Sequence, residues 1–149
     1  MRQYKQGYFK PVNPQKYRGD PTNITYRSGW EKLVMISLDN NPSILEWSSE
    51  EIVIPYTSPL DGRTHRYFPD FYVLAKTKDG GIQHQIIEVK HKKETMEPKK
   101  KKKITESYVY EVTTWGKNQA KWKAAEEYCR KKGWTFRILT EEHLGLKAK

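Results

Sequence analysis

Apolar residues recur along this chain with two different periods, and each change of period marks a new structural element. From Trp30 onward they return every three or four positions, which is typical of an amphipathic helix. Ser28 is a natural N-cap for this helix, Glu31 completes a capping box, and Asn40-Asn41-Pro42 ends it. The pattern predicts a first helix between residues 28 and 40.

Three segments with strand composition follow the first helix. They are Glu51 to Tyr56, Arg66 to Leu74 and Ile82 to Lys90. Turn residues separate them, namely Pro59 and Asp61-Gly62 before the second and Lys78-Asp79-Gly80-Gly81 before the third. We therefore predict an antiparallel meander of three strands.

Helical spacing returns between Asn118 and Lys132. The candidates for the inner face of this second helix are Ala120, Ala124, Ala125, Tyr128 and Cys129. Gly133 stands where a helix commonly ends, and Trp134 to Leu139 then alternates like a half-exposed strand. The predicted order is α-β-β-β-α-β, an α/β fold with a mixed central sheet flanked by helices.

Two polar segments lie outside this pattern. Residues 1–27 are broken by prolines and are predicted to form an extended arm, followed by a single domain over residues 28–149. Lys90 to Lys103 holds eight lysines and two glutamates, with a proline inside. Because such a segment cannot bury itself, residues 91–103 are predicted to form a basic mobile loop.

The charge of the whole chain narrows the function. There are 28 Lys and Arg against 18 Asp and Glu, a net charge of +10. This excess favours a polyanionic partner, most commonly nucleic acid, over a merely soluble basic protein. No apolar run approaches the ~20 residues of a membrane span, so a membrane role is not expected. One cysteine excludes an internal disulfide and a cysteine-based zinc site, which fits a reducing cytoplasm.

The candidate chemistry lies on the second and third predicted strands. Asp70 and Glu88 are separated by 18 positions, with a turn between them, so a hairpin would place them side by side. Glu88 and Lys90 share one face of their strand, while Val89 points away. Two carboxylates and an amine held together have the chemistry to bind a divalent metal and to steady a hydroxide that attacks a phosphate. A nuclease is the leading hypothesis.

Pro69-Asp70 and Glu88-Val89-Lys90, placed in this order on adjoining strands, resemble the motif of the PD-(D/E)xK nuclease superfamily, whose core is restriction-endonuclease-like. The resemblance implies that Asp70 and Glu88 hold the metal and that Lys90 orients the attacking water. We expect the Val89 carbonyl to assist the two carboxylates. Hard oxygen ligands of this kind favour Mg²⁺, with Mn²⁺ as a substitute.

Two further residues are candidates for the same site. Many superfamily members add an acid from the helix before the meander, and Glu31 occupies that place. The capping box alone also explains Glu31, and the two roles could exclude each other. Related nucleases often carry a glutamine or a basic residue at the start of the second helix, where Gln119 is expected.

Lysines in and after the basic loop are candidates for a sequence-independent grip on the DNA backbone. They are Lys92, Lys93, Lys99, Lys100, Lys101, Lys102, Lys103, Lys117 and Lys121. A solvated loop and a solvated helix face would explain the same residues, so both interpretations remain open.

A wider likeness extends from the arm to the second helix. The stretches that carry it include Thr22 to Ser28, Ser49 to Tyr56 and His65 to Phe71. They resemble the head-completion nucleases of T-even-type tailed bacteriophages and, more distantly, the endonuclease subunit of Tn7-type transposases. The first resemblance implies a DNase that acts in the host cytoplasm before heads and tails join, with head, portal or neck proteins as partners. A structural head or neck protein with an inactive nuclease fold, and a nuclease subunit of a transposase or restriction system, are the alternatives.

Overall fold

The computed structural model describes residues 6–145 and contains a four-stranded mixed sheet between two helices. In chain order the elements are β1 (Gly7–Tyr8), β2 (Thr25–Tyr26), α1 (Gly29–Asn40), β3 (Ile44–Ser49), β4 (Ile54–Thr57), β5 (Thr64–Tyr67), β6 (Phe71–Lys76), β7 (Ile82–Val89), α2 (Glu106–Lys132) and β8 (Thr135–Leu139). The main sheet has the order β3-β6-β7-β8, with β7 antiparallel to β6 and parallel to β8. Its elements follow the predicted α-β-β-β-α-β order, and the predicted α/β class is confirmed.

The first strand of the main sheet is not the one predicted. β3 begins at Ile44, in a segment that the sequence pattern left as a connector, and pairs with β6. The predicted strand from Glu51 to Tyr56 supplies only β4, which pairs with β5 in a separate two-stranded hairpin. Both Trp47 and Ser48 are buried, so β3 is covered on both faces and lacks the alternation that reveals a half-exposed strand.

The predicted strand from Arg66 to Leu74 is two strands. Phe68-Pro69-Asp70 separates β5, which belongs to the hairpin, from β6, which belongs to the main sheet. Pro69 is fully buried and lacks the backbone N–H that a continuous ladder would need. The break places Asp70 at the point where the chain enters the main sheet.

Helix α2 begins 12 residues before the predicted start at Asn118. Thr105 caps it by accepting a hydrogen bond from the Tyr108 N–H at 3.1 Å. The added turns contain valines, threonines, aromatics and Gly116, which are poor helix formers and conceal the helix in the sequence. Gly133 ends α2 as expected, with a positive φ of 73°.

The two faces of the main sheet bury separate clusters. On the α1 face, Trp47, Phe71 and Ile87 pack with residues of α1. On the α2 face, Ile86 packs with Cys129, because successive side chains of β7 point to opposite faces. Glu88 therefore faces α2, two residues beyond Ile86.

The segment before α1 contributes to the core and has more regular structure than its prolines suggest. Phe9, Tyr17 and Ile24 are buried in the α1-side cluster, and β1 pairs with β2. The buried Asp39 carboxylate accepts hydrogen bonds from the backbone N–H groups of Val12 and Asn13 at 2.7 and 3.1 Å. These bonds fasten the segment to the end of α1.

The basic segment after β7 contains one 3₁₀ turn, Lys92–Thr95, and no other regular element before Glu106. Its mobility stays a prediction. The start of the predicted arm and the end of the predicted C-terminal turn, residues 1–5 and 146–149, lie outside the described residues. Over residues 6–145, no helix combines the length and apolar character needed to cross a membrane.

Candidate active site

Asp70 and Glu88 lie side by side where β6 begins and β7 ends. Phe71 pairs with Ile87, and continuing this antiparallel register by one residue sets Asp70 opposite Glu88. The Val89 N–H donates a hydrogen bond of 2.7 Å to Asp70 Oδ2. The Asp70 carbonyl in turn accepts from the Glu50 N–H at 3.1 Å, at the end of β3. Three strands thus fix the position of Asp70.

Glu88 is a buried carboxylate with two neighbours. It is 7% exposed, and its Oε1 accepts a 2.6 Å hydrogen bond from the Tyr67 hydroxyl. Its Oε2 lies 3.7 Å from Lys90 Nζ, so the glutamate and lysine of the motif form an ion pair. Lys90 is itself held in place because its backbone N–H donates to the Leu139 carbonyl on β8.

The two carboxylates resist ionisation. Burial raises the pKa of Asp70 well above its usual range, and the negative charge of Glu88 raises it further. Burial also raises the pKa of Glu88, while the Tyr67 hydrogen bond and Lys90 act in the opposite direction. Adjacent carboxylates that repel each other in a partly dry site gain most from a cation that neutralises both.

The donor set fits a divalent metal ion. Asp70 and Glu88 supply hard carboxylate oxygens side by side, and few protein ligands with several retained waters suit Mg²⁺. Within residues 6–145, no group of three or more His, Cys, Asp or Glu side chains is close enough to hold a metal ion. The site therefore offers two carboxylates, and any further ligand has to come from the backbone, water or DNA.

Lys121 and Tyr67 complete the surroundings of Glu88. Lys121 Nζ lies 5.6 Å from the centre of the Tyr67 ring and 5.9 Å from that of Tyr56. Burial and the positive charge of Lys117 lower the pKa of Lys121, while Glu88 and Asp70 act to raise it. Lys121, predicted only as a phosphate contact, is thus close to the carboxylates.

Tyr67 was not predicted from the sequence. Its only sequence signal is its place three residues before Asp70, which is not specific. The fold brings Tyr67 to Glu88. β5 ends at Tyr67, and the chain then turns through Pro69, so that the Tyr67 hydroxyl reaches the Glu88 carboxylate.

Ser28 caps the first helix as predicted, the Glu31 side chain does not return to the Ser28 backbone as the capping box predicts, and Glu31 lies near the site. Ser28 Oγ accepts a hydrogen bond from the Glu31 N–H at 3.2 Å, and Glu31 Oε1 accepts from the Arg27 N–H at 3.3 Å rather than from the Ser28 backbone. Burial raises the pKa of Glu31, and its charge contributes to raising the pKa of Asp70. The cap and the proximity to Asp70 coexist, although Glu31 does not form a three-carboxylate cluster with Asp70 and Glu88.

Gln119 does not open α2, because the helix begins at Glu106. It lies in the middle of the helix and lines a hollow with Trp122, Phe136 and others. Among the described residues it makes no hydrogen bond with Asp70, Glu88 or Lys90. The predicted DNA-contacting lysines from Lys92 to Lys103 follow Lys90 on an exposed surface, and Lys117 lies one helical turn before Lys121.

Comparisons with known proteins identify the family to which this chain belongs. A family model described as TnsA-like endonuclease N terminal matches residues 41–141. The chain is also 46% identical over 142 residues to the head completion nuclease of Enterobacteria phage T4, an alignment that covers 93% of this chain and 92% of that protein. No solved structure matches significantly. The chain therefore belongs to the TnsA-like endonuclease family and is a homologue of a phage head completion nuclease.

Proposed function

We propose that this chain is a divalent-metal-dependent DNA nuclease of phage head completion and that Asp70, Glu88 and Lys90 are its catalytic residues. The observation that carries the proposal is their arrangement. Two carboxylates with raised pKa values lie side by side, and one of them pairs with a lysine two residues further along the same strand. Perturbed carboxylates beside an amine are typical of catalytic sites.

Asp70, Glu88 and the Val89 carbonyl would hold the metal, with Mg²⁺ as the first choice and Mn²⁺ as a substitute. A bound divalent ion supplies a coordinated water of lowered pKa and offsets charge on the phosphate. Nucleases of this superfamily generally use divalent metals. Glu31 is proposed as a further acid that contacts the metal through a water molecule. Its carboxylate is near Asp70 but accepts a hydrogen bond from the Arg27 N–H at the start of the first helix.

The side chains have separate tasks. The Lys90 ammonium, held 3.7 Å from Glu88 Oε2, orients the attacking water by hydrogen bonding and stabilises the negative charge that develops on the phosphate. Tyr67 fixes the Glu88 side chain by donating to Oε1. Lys121, half-buried over the Tyr67 ring, places a second positive charge near the carboxylates, where the phosphate would enter.

The lysines of the basic segment are proposed to contact the DNA backbone outside the site. The positions are Lys92, Lys93, Lys99, Lys100, Lys101, Lys102, Lys103 and Lys117. Gln119 is proposed to assist at the phosphate from its place in the middle of α2. Head, portal or neck proteins are the proposed partners, in the host cytoplasm during assembly.

Incubation with supercoiled and linear DNA tests the proposed activity. We expect the purified protein to convert supercoiled plasmid into nicked or linear forms in Mg²⁺ and in Mn²⁺, and to leave it intact in EDTA. Supercoiled circles have no ends, so their conversion reports endonuclease cleavage. Equal cleavage in EDTA would contradict metal dependence, and intact plasmid in both metals would contradict endonuclease activity.

Replacing Tyr67 by phenylalanine should change the pH dependence of cleavage. The Tyr67 hydroxyl stabilises the Glu88 carboxylate, so its loss raises the pKa of Glu88 further. Because cleavage requires ionised Glu88, activity falls as pH drops through this pKa, and the acid limb of the Tyr67→Phe profile should shift to higher pH. The measurement is the cleavage rate against pH at fixed metal concentration. An unshifted acid limb would contradict the assignment of Tyr67.

A further inference from the structure

A cleft of about 790 Å³ opens beside the proposed active site. One wall is the segment after β7, with His91, Met96 and Lys99. The other is the N-terminal half of α2, with Tyr110, Trp115 and Asn118. Its volume lies within the range of roughly 300–1,000 Å³ that is usual for small-molecule sites.

The cleft adjoins the catalytic residues at two points. His91 follows Lys90 directly in the chain. Asn118 precedes Lys121 by three residues on α2, a rise of about 4.5 Å along the helix. A nucleotide next to one whose phosphate lies at Asp70 and Glu88 could therefore reach the cleft.

The cleft contains a buried polar group without a partner. Trp115 has a buried indole Nε1 that lacks a hydrogen-bond partner in the described part of the chain. Asn118 lies on the same wall and is 5% exposed. Buried polar groups are normally hydrogen-bonded, and an asparagine amide matches the donor and acceptor edge of a base.

The charge of the residues that line the cleft favours an uncharged base over a phosphate as the bound group. Four glutamates (Glu94, Glu97, Glu111 and Glu141) accompany three lysines (Lys93, Lys99 and Lys101). A phosphate would meet net repulsion there, whereas an uncharged ring would not. Tyr110 is 73% exposed and Met96 is 59% exposed, so both offer apolar surface on which a base could stack.

We propose that this cleft takes an unpaired nucleobase of the DNA strand next to the scissile phosphate. The proposal rests on the proposed nuclease function and names its preferred substrate class, which is DNA with unpaired nucleotides at the cleavage site. A base inside a duplex cannot enter, because it would first have to leave its stack. Phosphates of the same strand would be contacted outside the cleft by the lysines of the basic segment that do not line it, namely Lys92, Lys100, Lys102 and Lys103.

The binding test uses a single-stranded oligonucleotide that carries 2-aminopurine and the same oligonucleotide annealed to its complement. It is done with Glu88→Gln protein so that the probe is not cut. We expect 2-aminopurine fluorescence to change on binding only in the single strand, and Tyr110→Ala in the same background to weaken that binding roughly tenfold. Tyr8→Ala removes an equally exposed tyrosine outside the cleft and should have no effect.

A cleavage test with otherwise wild-type protein accompanies the binding test. It compares a duplex that contains an unpaired stretch with its fully paired counterpart. The wild-type protein should cut the former faster, and Tyr110→Ala should bring the ratio of the two rates close to one. Asn118→Leu, which keeps the side-chain size, should reduce the ratio as well.

The two proposals fail in different ways. Equal binding of paired and unpaired probes, with no effect of Tyr110→Ala, would overturn the cleft proposal even if plasmid is still cleaved in Mg²⁺. Absence of cleavage of any DNA in Mg²⁺ or Mn²⁺, with the unpaired probe still bound through Tyr110, would instead overturn the nuclease proposal and support base binding in the cleft.

Discussion

Glu88→Gln is expected to reduce DNA cleavage by about 10²–10³-fold, the scale for losing one group that stabilises the transition state. The amide keeps the size of the side chain and accepts the Tyr67 hydrogen bond, but it carries no charge to hold a metal ion or pair with Lys90. Single-turnover cleavage of supercoiled plasmid in Mg²⁺ measures the loss. Cleavage within threefold of the wild-type rate would contradict the role of Glu88.

The same substitution should not weaken the fold at neutral pH. Burial raises the pKa of Glu88 in the folded protein, so wild-type stability falls as pH rises through this pKa and the carboxylate ionises. Glutamine removes that cost, and the urea midpoint of Glu88→Gln at pH 8 should equal or exceed the wild-type value. At pH values below the pKa of glutamate in the unfolded protein, the stability advantage of Glu88→Gln over the wild-type protein disappears.

Glu127→Gln is the matched control for both measurements. Glu127 is exposed and pairs with Arg130 on the outer surface of α2, away from Asp70 and Glu88. Exposed pairs of this kind contribute little to stability, because water screens the two charges. The cleavage rate and the stability of Glu127→Gln should both remain near the wild-type values. A large loss in either would mean that the effect of Glu88→Gln is not specific to the active site.

Trp47→Ala is expected to destabilise the fold by about 3–5 kcal/mol. Trp47 is completely buried on β3, and its ring packs edge-on against Tyr17 at 4.8 Å and Phe9 at 5.8 Å between ring centroids. Alanine would leave a cavity between the N-terminal segment and the main sheet. Urea unfolding followed by circular dichroism measures the free energy of unfolding.

Tyr8→Ala provides the contrast for Trp47→Ala. Tyr8 is 78% exposed, so its truncation should change the free energy of unfolding by less than about 0.5 kcal/mol. A loss below about 1 kcal/mol for Trp47→Ala would contradict the placement of β3 in the centre of the α1-side core. Such a result would also weaken the account of Asp70, whose carbonyl is anchored at the end of β3.

Helical spacing was enough to predict α1, and the alternation of apolar and polar residues was enough to predict β8. The β6–β7 hairpin was predicted from strand composition and from the turn residues between its strands. β3 was not predicted, because Trp47 and Ser48 are buried on opposite faces of the strand and the sequence therefore lacks the alternation of a half-exposed strand. The first turns of α2 were not predicted, because their residues have low helix propensity. The Thr105 cap that stabilises these turns lies among the same residues.

The residues of the candidate site also fall into those that the sequence predicts and those that it does not. Asp70, Glu88 and Lys90 could be brought together from sequence because strand geometry and one turn fix their relative positions. Tyr67 and the proximity of Lys121 could not, since they depend on how the β4–β5 hairpin and α2 pack over β7. Such contacts between elements distant in sequence leave no local pattern.

The central claim is that Lys90 acts with Asp70 and Glu88 in one catalytic site. Its most direct test is the single-turnover rate at which Lys90→Ala converts supercoiled plasmid in Mg²⁺, measured at enzyme concentrations where gel shifts show all DNA bound. We predict full DNA binding with no detectable cleavage. Cleavage by Lys90→Ala at the wild-type rate would contradict the claim.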